Sequence, residues 1–323
     1  MLPVLVKPLD WLSIQFCARS VHRGRHGTVP VEEAEIMLHQ PDFFAADIAT
    51  PDLTFETQHT FRFASPRPSP WPENNVVVGR LYRCLHQPWQ ECPTVVMLHG
   101  WNAELGYQLA FPGLAGKFNR LGFNAAMIEL PYHGRRKPRA PDAVKNFLSD
   151  DLVHILDGTR QALTDARALI SWLERQGCRR FGVWGISLGA WLAGILACHD
   201  PRVYAAALST PVARMDRLVA EVDFCEPIRK RLNGAKVRLD PLNLVAHKPL
   251  IPPDRIFIVE SAYDLFAPLD TIEELWERWG QTQILRTRHG HISAMMSPFV
   301  TRRTIRWLAE TTRHPSTPSA VSA

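Results

Sequence analysis

The stretch FGVWGISLGAW, from Phe181 to Trp191, holds a serine in a Gly-x-Ser-x-Gly frame between an apolar run and an apolar stripe. RFGVWG, from Arg180 to Gly185, reads as a strand, and Ser187 to His199 reads as a helix. Leu188, Trp191, Leu192, Ile195 and Leu196 form that helix's apolar stripe. Gly185 and Gly189 permit a sharp strand-to-helix turn with close passage of the helix. Such a turn exposes the Ser187 hydroxyl and turns the Leu188 N–H toward a developing oxyanion. The motif alone equally suits a glycine-rich connection, so the rest of the chain must supply partners.

Strands and helices alternate around it. TVVMLHG (94–100), FNAAMIELP (123–131), RVYAAALST (202–210), RIFIVES (255–261) and TQILRTR (282–288) read as strands. Helices are expected over YQLAFPGLAGKFNRLG (107–122), over 152–176, over TIEELWERW (271–279) and near 299–311. In the helix at 152–176, Leu163, Ala166, Ile170 and Leu173 recur at helical spacing, with Asp165, Arg167, Glu174 and Arg175 facing water. Such alternation implies an α/β fold, a largely parallel sheet with helices on both faces. Toward the N-terminus the pattern is irregular: a short amphipathic helix at 9–20, an extended TFETQHTFRFAS, then four prolines in ASPRPSPWPENN. Residues 211–250 interrupt the alternation. The reading is an N-terminal extension at 1–75 packed on the core, a core at 76–312 with an insertion at 211–250, and a flexible tail at 313–323.

A parallel sheet gathers its functional loops at the carboxyl ends of the strands. VMLHGWN (96–102) ends one strand there, making the Trp101 N–H a second candidate oxyanion donor; His99 is read as structural. TRHGHISAMM (287–296) offers a base after the last strand. His291 is favoured because Gly290 lets its loop turn inward, with His289 its rival. IVESAYDLFAP (258–268) offers the acid Asp264, with Glu260 as the alternate. The order Ser187, Asp264, His291 suits this architecture. Arg135, Arg136 and Lys137 in YHGRRKP (132–138) are candidate substrate-binding cations, weighed against a solvated or ion-paired basic loop. Trp101, Trp184 and Phe266 offer apolar area nearby, although Trp184 and Trp191 read chiefly as packing around the turn.

The elements HGW, GISLG, AYDLFAP and RHGHIS together resemble the α/β-hydrolase superfamily over roughly 76–308. That resemblance implies Ser187 as nucleophile, Asp264 as acid, His291 as base, and the N–H groups of Trp101 and Leu188 as the oxyanion hole. YHGRRKP, SDDLVHILDGTRQALTDARALISWLERQG and GVWGISLGAWLAG are similar to a poorly characterised hydrolase-domain subgroup of bacteria and eukaryotes. That kinship implies an extended N-terminal segment within one domain.

Composition bounds the alternatives. The 323 residues allow a substantial core, and 37 basic against 32 acidic residues leave a formal charge of +5 without a long single-sign block. No phosphate loop, zinc knuckle or helix-turn-helix pattern organises the basic residues, so nucleic acid is not an expected partner. Peripheral contact with anionic lipid stays open. The six cysteines, Cys17, Cys84, Cys92, Cys178, Cys198 and Cys225, form no Cys-x-x-Cys unit. They suit a cytoplasmic setting, as does the interrupted N-terminus, where Pro3, Lys7, Pro8 and Asp10 break any signal-like run. No cofactor and no metal are expected. The reaction implied is hydrolysis of a carboxylic ester, lipid-like or anionic, through an acyl-serine. The rival reading is a noncatalytic hydrolase-like binding protein. The oligomeric state is not legible.

Overall fold

The computed structural model describes residues 3–22, 30–45, 50–233, 235 and 237–313. Within them, nine strands form one sheet. They are β1 Thr54–Phe55, β2 Thr60–Ala64, β3 Val76–Tyr82, β4 Thr94–Leu98 and β5 Asn124–Ile128, followed by β6 Phe181–Ile186, β7 Val203–Ser209, β8 Ile256–Ser261 and β9 Gln283–Thr287. Their order is β1-β2-β3-β5-β4-β6-β7-β8-β9. The pairs β1/β2, β2/β3 and β3/β5 are antiparallel. From β5 through β4 to β9 every pairing is parallel. The chain leaves β4 to one side for β5 and returns to its other side for β6. That reversal opens a crevice beyond the carboxyl ends of β4 and β6, where ligands bind in such sheets.

Side-chain alternation builds a core on each face. Helices α1 Pro3–His22 and α2 Val31–Leu38 precede the sheet; α3 Glu104–Leu109, α4 Phe111–Arg120, α5 Leu152–Arg175 and α6 Leu188–His199 follow β4, β5 and β6. After β7 come α7 Met215–Glu221 and α8 Glu226–Leu232, and later α9 Leu269–Arg278, α10 His291–Met295 and α11 Pro298–Arg313. On β4, Val95 and Met97 pack with Phe111 and Phe118 of α4 and Leu308 of α11. Val96 and Leu98 point the other way, into the cluster holding α5 and α6. Each fully buried large apolar side chain contributes about 1.5–3 kcal/mol, so the two faces together fix the register.

Three expectations need correction. The single helix expected over 107–122 is two, α3 and α4, with Pro112 in the first turn of α4. Proline lacks the N–H an interior helical position would need, and its fixed φ suits a first turn. The short N-terminal helix is twenty residues long. On α5, Asp165 and Arg167 do not face water: both are buried, Asp165 paired with Arg136 at 2.8 Å and Arg167 with Asp200 at 3.7 Å. Opposite charges from other elements cancel what helical periodicity alone reads as an outward face.

Among the described residues of 211–250, Leu218, Phe224, Ile228, Leu242 and Leu244 are buried in the core. The flexible tail called at 313–323 lies outside the described residues beyond Arg313. No helix among the described residues is long and apolar enough to cross a membrane.

Candidate active site

Strand β6 delivers Ser187 into the crevice with φ +55° and ψ −117°. A serine rarely adopts that backbone, at a cost of about 1–3 kcal/mol, and its surroundings must hold it there. The two glycines show how. A Cβ at Gly185 would sit 2.0 Å from the Gly189 carbonyl oxygen, and one at Gly189 would sit 2.0 Å from that of Leu98. Helix α6 therefore passes so close to β6 and β4 that the frame admits only glycine at both positions. Ser187 N–H donates to the Ser209 carbonyl at 3.0 Å, and the Trp191 N–H donates back to the Ser187 carbonyl at 3.0 Å.

Two loops extend a line of contacts from the hydroxyl. The loop after β9 carries His291, whose Nε2 lies 2.8 Å from Ser187 Oγ. The loop after β8 carries Asp264, whose Oδ2 lies 2.7 Å from His291 Nδ1. A carboxylate partner places the proton on Nδ1 and leaves Nε2 as acceptor for the serine proton. Asp264 is itself fixed, its Oδ1 accepting the N–H groups of Phe266 at 2.8 Å and Ala267 at 2.9 Å. The Phe266 ring stacks on the imidazole, centroids 4.5 Å apart. His291 is buried, which works to lower its pKa, yet the charge and hydrogen bond of Asp264, with the charge of Asp10, hold it above its ordinary value.

The rival residues lie elsewhere. His289 sends its carbonyl to the Tyr263 N–H at 2.9 Å and takes no part in this chain of contacts. Glu260 ends β8 beside Arg286 at 3.6 Å. Burial and the neighbouring Glu273 push its pKa up to about 7. His99 is bound into the main chain: its Nδ1 meets the Gly100 carbonyl at 2.8 Å, and its Nε2 accepts the Leu130 N–H at 2.9 Å.

The basic loop is engaged in structure. Arg136 is wholly buried, paired with Asp165 and donating to the carbonyls of Asn74 and Glu129. Arg135 pairs with Glu56 at 3.1 Å and Glu129 at 3.6 Å. Neither of them, nor Lys137, lines the crevice.

The crevice encloses about 740 Å³, with Ser187 and His291 on its wall. Trp101 from the turn after β4, Tyr107 and Leu114 from α3 and α4, and Leu218 and Phe224 from the insertion make it largely apolar. Trp101, Phe224, Phe266 and the His291 ring run side by side, with centroid spacings of 5.5, 5.8 and 4.5 Å. Gly100 brings the β4 turn against Ser187: a Cβ there would lie 3.3 Å from Ser187 Cβ.

One buried acid escaped the reading of the sequence. Asp10, on α1, is fully enclosed, and its Oδ2 accepts the His291 N–H at 2.7 Å and the Leu265 N–H at 3.2 Å. Its Oδ1 accepts the Ile292 N–H at 3.0 Å. The signal was present: Asp10 sits in line with Val6, Ile14, Cys17 and Val21, all buried along one face of α1. An acid at a core position demands partners.

Residues 95–317 match the model of a family described as the alpha/beta hydrolase family. An uncharacterised protein of Mycobacterium tuberculosis is 30% identical over 242 residues, 69% of this chain and 55% of the relative. The chain thus spans about half the length of the curated relatives it matches. Among solved structures, an esterase from Pyrococcus furiosus superposes with a TM-score of 0.55 at 15% identity, covering 84% of this chain and 94% of that one. A PEG-bound cold-adapted esterase from an Arctic intertidal metagenomic library gives 0.53 at 18% identity, covering 80% and 97%. At these identities the structures share the fold.

Proposed function

This chain belongs to the alpha/beta hydrolase family, and from that premise we propose that it is a serine acyl hydrolase cleaving a small carboxylic ester. The single observation that carries the reading is the continuous contact from Ser187 Oγ through His291 to Asp264 on the wall of an apolar cavity. In this account His291 Nε2 takes the Ser187 proton as Oγ attacks the acyl carbon. Asp264 stabilises the imidazolium, which then protonates the departing alkoxide. Water, activated by the same nitrogen, releases the acyl group from Ser187. The N–H groups of Leu188 and Trp101 serve as the oxyanion hole, a role supported by the close approach of the Gly100 turn to Ser187.

The cavity's volume falls within the range of small-molecule sites, and its lining favours an apolar acyl chain. Lys117 is the one lysine or arginine among its described lining residues, so an anionic head group would find a single cation there. The esterase names of the two structural neighbours support the ester reading. The hydrolase core at 76–312 would then take 211–250 as one cavity wall. Six free, buried cysteines support a cytoplasmic setting.

The test is hydrolysis of p-nitrophenyl esters of increasing acyl length by the purified chain. Turnover that disappears in Ser187→Ala is the expected result. A folded wild-type chain with no turnover on any member, or a Ser187→Ala variant as active as wild type, overturns the reading.

A further inference from the structure

Helix α1 lies among three elements that build the site. It packs on the turn at Asp223–Cys225 of the insertion and on α10, and its Cys17 thiol rests beside Asn102 in the turn after β4. At α10 the contact is specific. That helix begins at His291 with Gly290 as its N-cap, and glycine has no side chain to accept the first free N–H groups. Asp10 supplies the missing acceptors from a distant part of the chain: Oδ2 to His291 N–H at 2.7 Å and Oδ1 to Ile292 N–H at 3.0 Å. Its Oδ2 also takes the Leu265 N–H, at 3.2 Å, in the loop that presents Asp264. One carboxylate therefore ties the loop of the acid to the loop of the base. Gly290 makes room for it, since a Cβ there would lie 2.7 Å from Asp10 Oδ2.

We propose that Asp10 is a positioning residue for the general base, fixing the His291 main chain so that the imidazole bridges Asp264 and Ser187. Helix α1 is thereby a working part of the active site. The inference rests on the reading of Ser187 as nucleophile and His291 as base. Geometry gives the reason for an acid here. Three N–H donors converge on two oxygens, and an asparagine would turn its own N–H₂ against at least one of them. A 1 Å displacement of the base costs about 10²-fold in rate. Asp10 also acts at a distance. Its environment holds Asp264 and His291 as the facing titratable groups; burial raises its own pKa, and its negative charge helps keep that of His291 high.

The experiment compares the full chain with Asp10→Ala, Asp10→Asn, Gly290→Ala and the Asp10→Ala/Gly290→Ala double variant, each checked for folding by thermal melting. Two quantities are read: kcat and KM on a p-nitrophenyl ester, and the rate of Ser187 labelling by a fluorophosphonate. Asp10→Ala and Gly290→Ala should each lower kcat and the labelling rate, by about 10²-fold at most, with KM little changed. Adding Gly290→Ala to Asp10→Ala should cost little more, because the methyl then occupies the vacated space. Asp10→Asn should move the acid limb of kcat/KM to lower pH, a shift that loss of packing alone does not produce. Folded Asp10 variants with wild-type kcat and an unmoved acid limb overturn the proposal, as does equal cost of Gly290→Ala in both backgrounds. If the folded wild-type chain itself fails to label at Ser187, the nucleophile reading beneath the proposal falls instead.

Discussion

At Ser187, Gly185 and Gly189 the sequence motif and the backbone explain each other. The serine occupies a left-handed conformation, and each glycine touches main chain that no methyl could share. Gly189→Ala should therefore destabilise the fold by about 1–3 kcal/mol or more, read as a lower denaturant midpoint, and should reduce ester turnover along with it. His291 gives a pH prediction whose sign follows from its role. The base of the proposed mechanism must be neutral to act, and His291 holds its proton to higher pH than an ordinary histidine. Activity should fall as pH drops through a midpoint above 6.5, followed as kcat/KM across the range. The same raised pKa stabilises the folded chain while His291 is protonated, and that increment disappears as pH rises through the folded-state value. Much of the residue-scale site was legible, because Ser187, Asp264 and His291 each follow a strand in the expected order. Asp10 was legible only as an acid on the apolar face of a helix: its partners are main-chain N–H groups more than 250 residues away, and no local pattern encodes them.

At the scale of elements, the strands were read well because buried parallel strands leave near-continuous apolar runs. Helices were harder where tertiary partners override periodicity, as at Asp165 and Arg167, or where one proline resets the axis, as at Pro112. The insertion shows the same limit, since its mixed charge hides the Leu218 and Phe224 that wall the cavity. Their burial yields a specificity prediction. Acyl chains that reach this wall should raise kcat/KM, each added methylene contributing about 0.8 kcal/mol while room remains. Leu218→Trp should shorten the preferred chain and leave the acetyl ester comparatively unaffected. The ratio of octanoyl to acetyl kcat/KM measures this, and an unchanged ratio would place the acyl chain elsewhere.

For the whole molecule, the reversal of strand order beside β4 explains why loops from three distant parts of the chain converge on one crevice. In the basic loop, Arg136 is buried in the scaffold and does not line the crevice. Arg136 and Asp165 form a buried pair joining this loop to α5, and removing one partner strands a charge in the interior. Arg136→Ala should cost about 3–5 kcal/mol in unfolding free energy while the folded fraction keeps its KM, a separation that combined denaturation and kinetics can read. The central claim is that this fold makes Ser187 a nucleophile. Its most direct test is to treat the intact chain with a fluorophosphonate and map the adduct by mass spectrometry. The account predicts one adduct per chain, on Ser187, absent from Ser187→Ala and strongly slowed in His291→Ala. A folded chain that takes no adduct, or takes it on another residue while Ser187 stays unmodified, would contradict it.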